Sequence, residues 1–266
     1  MCNLAEHAGN LAASMRASVG VHQKTGPHDL VTDADLAVSN LLMRELAGRF
    51  PNDFFISEEE ALAEGIKKHL GSTVQRTWLI DPIDGTDNYV HGDGQYSVMI
   101  GLLVNGIPHF GCVASPAMQM TYYGGPAYGS WCRHQGGKAE RFGIDPADPL
   151  GTPVRLMMGW RDRRNNPWIL NMAGVKIIAA GSVGLKVAKV IADEADVFVH
   201  LSGKLKFWDT AGPAAIALGA GLEVGTFDAD QLDFPLPEIR HKTTVVMGRP
   251  GTLEWSRRIL GKQFIV

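Results

Sequence analysis

The first sixty residues show helical and then strand-like patterns of apolar positions. Apolar residues recur at helical spacing through residues 3–17 and again through residues 34–49, which predicts two amphipathic helices. Pro51-Asn52-Asp53 ends the second pattern, and Phe54-Phe55-Ile56 is typical of a short strand that leads into a run of glutamates. The apolar positions that define the two helical faces are Leu4, Ala8, Leu11 and Met15, then Val38, Leu41, Leu42 and Leu46.

Strand patterns dominate the middle of the chain. Residues 97–104 and 109–114 are predicted strands, and Asn105-Gly106 between them is a strong hairpin signal. Residues 120–123 add another strand.

A segment rich in Gly, Pro and Asp at residues 136–153 is the expected lobe boundary. Beyond it, strand-like runs alternate with helical patterns, which favours an α/β arrangement. We therefore expect an N-terminal α+β lobe over residues 1–145 and a C-terminal α/β lobe over residues 146–266. The later strands are expected at residues 154–158, 175–179, 197–200 and 245–248, and the later helices at residues 184–193 and 210–219.

The composition of the 266-residue chain is that of an ordinary globular protein, with 45% hydrophobic and 20% charged residues. A net charge of −3 gives no general attraction to a nucleic acid polymer or to an anionic membrane, so an anionic ligand would have to be held locally. The three cysteines form no CxxC pair, and the chain shows neither a signal-peptide pattern nor an apolar run of membrane-spanning length. We expect a cytoplasmic protein.

The chemistry is expected at Asp81-Pro82-Ile83-Asp84-Gly85-Thr86, which follows the apolar run Trp78-Leu79-Ile80. A buried strand fixes the backbone while its carboxyl end stays open to solvent, and α/β proteins bind ligands there. The two carboxylates suit a hard divalent cation, and the amides of Gly85 and Thr86 could receive an anion if a helix begins there. Metal plus phosphate is therefore the first hypothesis.

Acidic residues cluster at four predicted element boundaries, and each cluster also has a purely structural interpretation. Thr32-x-x-Asp35 fits a capping box, Asp209 precedes an Ala-rich helix as an N-cap would, and Asp84 could cap a helix that begins at Gly85. The functional interpretation depends on finding all of the clusters together, in this order. They are Asp33/Asp35, Glu58/Glu59/Glu60, Asp81/Asp84 and Asp209.

With these clusters in this order, the chain resembles the inositol monophosphatase superfamily of metal-dependent, lithium-sensitive phosphatases. The two most specific motifs are residues 81–86 and Trp208-Asp209-Thr210-Ala211-Gly212. The resemblance implies a layered αβαβα sandwich of the inositol monophosphatase/fructose-1,6-bisphosphatase type, with the site between the two lobes. Many relatives are homodimers, and this sequence does not identify a dimer surface. The other matching segments are residues 29–35, 56–59 and 181–184.

The spacing of the turn excludes another class of phosphatase. Enzymes of the haloacid dehalogenase type use Asp-x-Asp-Gly-Thr, in which the first Asp is a covalent nucleophile two residues before the second. Pro82 occupies that position here and has no nucleophilic side chain. Phosphate should therefore be transferred directly to water.

The resemblance implies a set of metal ligands. Glu58, Asp81 and the backbone carbonyl of Ile83 would hold the metal that carries the attacking water. Asp81, Asp84 and Asp209 would hold a second metal against the leaving group. Oxygen ligands favour Mg²⁺, as two ions or as three with a weaker one near Glu58. The nine histidines form no ligand pair, which agrees with this choice.

The resemblance also implies the roles of the remaining site residues. The expected catalytic residues are Asp35, Glu58 and Thr86. Asp35 would hydrogen-bond Thr86, whose hydroxyl orients the nucleophilic water, and the amides of Gly85 and Thr86 would bind phosphate oxygens.

The substrate side differs from that of the inositol-specific members. Those members carry a Glu seven residues before the Asp of Trp-Asp, where this chain has the shorter, neutral Ser202, which disfavours inositol. Residues 92–98, 181–186 and 208–210 look more like the branch that removes the 3′-phosphate from 3′-phosphoadenosine 5′-phosphate. The predicted substrate-binding residues are Gly184, Lys186, Ser202 and Lys204.

Cations for a second phosphate could come from Lys186, Lys204 and Lys206, although surface lysines are common and these could be ordinary ones. Lys24 matches a position near the active-site entrance in relatives, or it is an exposed loop residue. Four aromatic residues could stack on a base, although such residues mostly pack in cores. They are Tyr122, Tyr123, Trp131 and Trp160.

The leading hypothesis is a Mg²⁺-dependent phosphomonoesterase that acts on a small phosphorylated metabolite, leaning to 3′-phosphoadenosine 5′-phosphate. The alternatives are an inositol-1-monophosphatase, a sugar bisphosphatase, and a non-catalytic relative that binds a phospho-ligand. The presence of every metal-ligand carboxylate and of Thr86 argues against the last alternative.

Overall fold

Most strands of the first half of the chain belong to one seven-stranded sheet, in a computed structural model that describes residues 1–23, 30–59, 76–145 and 150–261. The strands lie in chain order across the sheet, with the first pair parallel and the others antiparallel. A separate short pair precedes them. The bounds are β1 Val21–Gln23 and β2 Leu30–Thr32 for the pair, then β3 Phe54–Ser57, β4 Arg76–Asp84, β5 Ser97–Val104, β6 Ile107–Ser115, β7 Met120–Gly125, β8 Gly129–His134 and β9 Ala139–Phe142.

The second half of the chain forms a five-stranded sheet. Across this sheet the first three strands run parallel to one another, the fourth runs antiparallel to the third, and the fifth runs antiparallel to the fourth. Its strands are β10 Val154–Met157, β11 Val175–Ile178, β12 Val197–His200, β13 Glu223–Gly225 and β14 Val245–Gly248, in the order β11-β10-β12-β14-β13. The α helices are α1 Cys2–Met15, α2 Asp33–Arg49, α3 Thr86–His91, α4 Trp160–Asn165, α5 Val183–Ile191, α6 Phe207–Gly219 and α7 Thr252–Ile259.

Alternation of side chains along β4 explains why helices cover both faces of the first sheet. Trp78 and Ile80 pack with α1 and α2 on one face, whereas Leu79 packs with α5 and α6 on the other. The core around α5 and α6 also contains residues of the second sheet, such as Met247. Helix α7 covers the far face of that sheet through Leu253 and its neighbours. The layers are therefore helix, sheet, helix, sheet and helix, which confirms the predicted αβαβα class.

Local sequence signals account for many of the boundaries. Asn105 and Gly106 adopt φ values of 52° and 77°, as the predicted tight hairpin turn requires. Thr32 caps α2, and Asp35 closes the predicted capping box by accepting a hydrogen bond from the Thr32 amide at 2.8 Å. Sequence patterns missed β8, β9, β13, α4 and α7, since these elements are short or partly exposed.

The segment chosen as the lobe boundary contains β9, which belongs to the first sheet. The first sheet ends at Phe142 and the second begins at Val154, but α6 from the second half of the chain packs on the first sheet. The division at residues 145 and 146 stays a prediction, and residues 146–149 lie outside the described part of the chain.

Helix α6 approaches the first sheet closely because both surfaces carry glycine. A Cβ atom added to Gly111 would lie 2.0 Å from the carbonyl oxygen of Gly212, and one added to Gly101 would lie 2.6 Å from the Gly212 nitrogen. Neither neighbouring atom belongs to a flexible side chain, so the helix would have to move.

We expect Gly111→Ala to lower the free energy of unfolding by about 1–3 kcal/mol, the usual range for overpacking a core. Gly48→Ala is the matched control, because Gly48 lies in α2 with no heavy atom within 4 Å of an added Cβ. Urea denaturation measures both variants. A Gly111→Ala midpoint equal to that of the unmodified protein would contradict this account of the contact.

His241 is buried against the start of α6. Its ring centroid lies 4.7 Å from that of Phe207 and 5.2 Å from that of Phe234, and its Nε2 lies 2.7 Å from Thr210 Oγ1. Burial, and to a smaller extent the nearby His200, lower the pKa of His241 from 6.5 to about 4. The unfolded chain therefore binds a proton at a higher pH than the folded protein does.

From this pKa we expect stability to be lost as the pH falls from about 6.5 towards 4, by at most about 3 kcal/mol from this residue. His241→Gln should remove that part of the pH dependence, whereas His134→Gln, at an exposed position, should leave it in place. Urea denaturation at pH 7, 6, 5 and 4.5 gives the comparison. Parallel pH profiles for the unmodified protein and His241→Gln would contradict the assignment.

Candidate active site

The end of β4 is irregular in a way that redirects a carboxylate. Asp81 pairs with Met99 and Asp84 pairs with Ser97, so three steps along β4 match two steps along β5. Residues three apart on a regular strand point to opposite faces, and the extra residue of a bulge cancels that alternation. Pro82 lies within the bulge, where the lack of an N–H group is tolerated.

Parallel pairing of β3 with β4 brings Glu58 to the same place. Ser57 pairs with Ile80, and the Glu58 amide donates a hydrogen bond to the Ile80 carbonyl at 3.1 Å. Glu58 therefore follows β3 at the level where Asp81 follows Ile80. Strand register determines this neighbourhood, which residue spacing along the chain does not show.

Asp209 comes from the first turn of α6. Its Oδ2 accepts a hydrogen bond from the Lys206 amide at 2.6 Å, which is the third-position partner of a capping box. The prediction that Asp209 is itself the N-cap was wrong, because the helix begins at Phe207 and Lys206 is the cap residue.

Asp84 does not cap α3 either, since the N-cap of that helix is Gly85. Its Oδ2 instead accepts hydrogen bonds from the Ser182 hydroxyl at 2.5 Å and from the Gly184 amide at 2.9 Å. The prediction of an Asp84 cap was therefore wrong. The carboxylate connects the end of β4 to the start of α5. Gly184, which the sequence predicted to bind substrate, contacts Asp84 through its amide.

The carboxylates influence one another electrostatically. Burial raises the pKa of Asp81 well above its usual range, and the negative charges of Glu58, Asp84, Asp209 and Asp35 raise it further. The Asp209 residue is half-buried, and its carboxylate is surrounded by protein atoms. The pKa of Asp209 is raised by the loss of water around the carboxylate and by the charges of Glu58 and Asp84. The protein thus gathers negative charge where water cannot solvate it.

A cation would relieve this repulsion, and the donor set suits a hard one. Oδ1 of Asp81 is buried and has no hydrogen-bond partner among the described residues. Carboxylate and carbonyl oxygens are the ligands that Mg²⁺ prefers. In the same part of the chain, no group of three or more His, Cys, Asp or Glu side chains is already arranged to hold a metal ion. Asp84 and Asp209 accept these hydrogen bonds on Oδ2, and because a carboxylate has about four lone-pair sites, each can accept from its protein donors and also bind a metal.

Thr86 is the first residue of α3, and its hydroxyl donates a hydrogen bond to the Ile83 carbonyl at 3.1 Å. Asp35 accepts hydrogen bonds from the amide and the hydroxyl of Thr32, at 2.8 and 2.5 Å. A threonine hydroxyl has one proton, so a Thr86 bond to Asp35 would require the hydroxyl to turn away from Ile83. The predicted Asp35–Thr86 contact stays a prediction.

A cavity of about 500 Å³ opens beside these residues, and its lining includes Glu58, Gly85, Thr86 and Lys186. Lys186 is buried, and its Nζ donates hydrogen bonds to the carbonyls of Gly181 and Ser182. Burial lowers the pKa of Lys186 to about 8, while the charge of Asp84 opposes that shift. The predicted substrate lysine thus faces the cavity with its position fixed by α5.

The other predicted substrate residues lie elsewhere. Ser202 lines a second cavity of about 500 Å³ together with Phe227, Lys242 and Arg257. Lys204 is exposed and is not among the residues that line either cavity. The ammonium group of Lys206 lies 5.3 Å from the centroid of the Trp208 ring.

Apart from Trp160, sequence reasoning missed one wall of the first cavity. That wall is formed by the start of α4 and by His200 at the end of β12. The run Trp160-Arg161-Asp162-Arg163 follows β10 and lies at the carboxyl end of a strand, which was the signal that could have identified it. His200 lies two residues before Ser202, the position that the sequence comparison had singled out.

Trp160 is the one of the four candidate stacking aromatics that lines this cavity. Tyr122 is buried in the sheet, where burial raises its pKa, and Trp131 donates a hydrogen bond to the Tyr128 carbonyl. Tyr123 packs with the core beneath α1 and α2. Three residues named from the sequence lie outside the described part of the chain, namely Lys24, Asp29 and Glu60.

A membrane-crossing helix would need a longer apolar stretch than any helix of the described residues provides.

Comparison with known proteins gives one consistent result. The family model described as "Inositol monophosphatase family" matches residues 1–252. Inositol monophosphatase 1 of Bos taurus is 32% identical over 228 residues, covering 82% of this chain and 79% of the relative. The 3′(2′),5′-bisphosphate nucleotidase CysQ of Salmonella typhimurium is 28% identical over 239 residues, covering 88% of this chain and 92% of the relative.

Solved structures agree on the fold. The Thermotoga maritima IMPase TM1415 superposes with a TM-score of 0.80 at 24% identity, covering 98% of this chain and 95% of that one. An IMPase/NADP phosphatase complexed with Mg²⁺ and phosphate superposes with a TM-score of 0.76 at 19% identity, covering 95% and 91%. A family match that spans almost the whole chain, on an αβαβα fold with carboxylates gathered at its strand ends, places this chain in the inositol monophosphatase family, a family of metal-dependent phosphatases.

Proposed function

We propose that the protein hydrolyses a small phosphorylated metabolite with Mg²⁺, and that its substrate carries a second phosphate, as 3′-phosphoadenosine 5′-phosphate does. The observation that carries the proposal is the buried, unpartnered Asp81 Oδ1 among mutually repelling carboxylates, beside a cavity lined by Thr86 and Lys186. A cytoplasmic setting and a homodimer stay predictions.

Two or three Mg²⁺ ions would be held by residues around the β4 bulge. Glu58, Asp81 and the Ile83 carbonyl form one ligand set, and Asp81, Asp84 and Asp209 form the other. The Ile83 carbonyl can serve both Thr86 and a cation, because a carbonyl oxygen has two lone pairs. When bound, Mg²⁺ would supply an activated water at neutral pH and offset charge on the phosphate.

Residues of the chain would position the reacting groups. The Thr86 hydroxyl donates its hydrogen bond to the Ile83 carbonyl, which leaves the lone pairs of the hydroxyl oxygen able to accept a hydrogen bond from a water. The negative charge of Asp35 raises the pKa of Asp81, so Asp35 acts electrostatically on the carboxylates around the β4 bulge. The amides of Gly85 and Thr86 would bind phosphate oxygens, since both residues line the cavity.

The α4 wall supports a substrate with a second anionic group. Nε of Arg163 is buried and has no hydrogen-bond partner in the described part of the chain, although the residue lines the cavity. Arg163 and Lys186 line the same cavity, and the charge of Arg163 lowers the pKa of Lys186. Trp160 lines the same wall and is 43% exposed, and the guanidinium groups of Arg161 and Arg164 lie 5.6 and 5.9 Å from its ring centroid, which adds positive charge to this wall. These features favour a bisphosphorylated nucleotide.

Inositol 1-phosphate is the second candidate substrate. It is supported by the 32% identity to a protein named inositol monophosphatase 1. Against it stands Ser202, which replaces the Glu of the inositol-specific members and lines a different cavity from Thr86.

Asp209→Asn should reduce phosphate release by more than about 100-fold, because even partners of metal ligands are worth 10–100-fold in such sites. Asp228→Asn, at an exposed position, is the matched control. Removal of Mg²⁺ with a chelator should abolish activity, and lithium should suppress it. Normal turnover by Asp209→Asn in a folded protein would overturn the metal assignment.

A phosphate-release panel tests the substrate. We expect the order 3′-phosphoadenosine 5′-phosphate, then inositol 1-phosphate and fructose 1,6-bisphosphate. Arg163→Gln should raise the KM for the bisphosphorylated nucleotide about tenfold, as expected for loss of a charged hydrogen bond.

Arg258→Gln is the control, since Arg258 is exposed on α7 and is not among the residues that line this cavity. Equal weak activity on all three compounds would remove the argument from Ser202. An unchanged KM in Arg163→Gln would remove the second-phosphate argument.

A further inference from the structure

Three side chains form a hydrogen-bonded chain at the rim of the first cavity. Asp162 Oδ2 lies 2.9 Å from His200 Nδ1, and His200 Nε2 lies 2.8 Å from Ser202 Oγ. Asp162 is 2% exposed on its side chain and His200 is 16% exposed, so water competes little for the first contact. Asp162 also accepts a hydrogen bond from the Leu201 amide at 3.3 Å.

The donors around His200 define its tautomer. The Lys204 amide points at His200 Nε2 from 3.4 Å, and a backbone amide can only donate. Nε2 is therefore an acceptor, and the single proton of the neutral imidazole is on Nδ1, where it is donated to Asp162. The Ser202 hydroxyl then also donates to Nε2. Each of the three contacts agrees with this one protonation state.

The chain joins two walls that come from different parts of the sequence. Asp162 belongs to α4, next to Arg161 and Arg163, and His200 precedes the loop that leads from β12 to α6. Asp162 thereby receives hydrogen bonds from His200, the last residue of β12, and from Leu201, the first residue of that loop.

The far end of the same loop is anchored independently. The Lys206 amide donates to Asp209, the Phe207 amide donates to the Ile239 carbonyl at 2.9 Å, and the His241 amide donates to the Leu205 carbonyl at 2.9 Å. Loss of the His200 contacts should therefore leave Asp209 in place. It should free the α4 wall instead.

We propose that His200 is a positioning residue, held by Asp162 in its Nδ1–H tautomer, and that this pair fixes the α4 wall and its Arg163 against the cavity. The specificity of the site for a substrate with a second anionic group depends on that fixation. This inference rests on the proposed phosphatase function, and it makes His200 a determinant of substrate choice close to Ser202, the residue that the sequence predicted to bind substrate.

Nuclear magnetic resonance tests the tautomer without any turnover. Long-range ¹H–¹⁵N correlation spectra of the full-length protein, assigned with His200→Asn, should show His200 with its proton on Nδ1 at pH 7.5. In Asp162→Ala, which has no side-chain acceptor for Nδ1–H, we expect that preference to weaken. A proton on Nε2 of His200 in the unmodified protein would overturn the proposal, because Nε2 could not then accept from Lys204 and Ser202.

Kinetics tests the consequence with two substrates, 3′-phosphoadenosine 5′-phosphate and p-nitrophenyl phosphate, which has no second anionic group. His200→Ala should raise KM for the first about tenfold with kcat within about twofold, the size of a lost charge-assisted contact. It should leave KM for the second nearly unchanged. His200→Asn should recover part of the loss, since its amide can still donate to Asp162.

His134→Ala, an exposed position on β8, is the control for a histidine substitution as such. An equal loss on both substrates, or a fall in kcat alone, would overturn the positioning role. Absence of phosphate release from every substrate by the unmodified protein would instead reject the proposed function, and the tautomer measurement would still decide the geometry.

Discussion

The close packing of α6 on the first sheet determines where the last carboxylate of the site lies. Gly101 and Gly111 on β5 and β6 face Gly212 on the helix, and a side chain at either sheet position would meet backbone atoms of that residue. Asp209 lies one turn before Gly212, so the same approach holds it near the end of β4. A shift of α6 by the width of one methyl group would move the Asp209 carboxylate away from Asp81 and Glu58. Those two residues would stay in place, because strand register positions them.

Bringing these carboxylates together costs stability, and the fold offsets part of that cost with its own donors. Asp84 accepts hydrogen bonds from the Ser182 hydroxyl and the Gly184 amide, and Asp209 accepts one from the Lys206 amide. Asp81 is left with a buried oxygen that has no partner in the described structure. A site built only for stability would not leave this oxygen unpaired, because an unsatisfied buried carboxylate is among the most costly groups in a protein. The arrangement therefore favours a binding role over a set of helix caps.

Sequence patterns predicted the layers and the acidic segments, because both depend on local periodicity and on a continuous motif. They failed on α4 and on His200, which approach the site only through the parallel order of β10 and β12 in the second sheet. They also gave Asp84 and Asp209 the wrong structural partners. Cap positions depend on where a helix begins to within one residue, and sequence patterns are least reliable at such boundaries.

The contrast between Ser202 and His200 shows why specificity is harder to predict than reaction type. A motif comparison assigns a role to a position, and Ser202 stands at the position where inositol-specific relatives carry Glu. In this structure the Ser202 hydroxyl is hydrogen-bonded to His200 Nε2, and Ser202 lines the second cavity. The groups that line the first cavity are instead His200 of β12 and the adjacent Asp162 and Arg163 of α4, and these two segments lie far apart in sequence and belong to no shared motif. Reaction type follows from one strand end, whereas substrate choice follows from how the walls around it are joined.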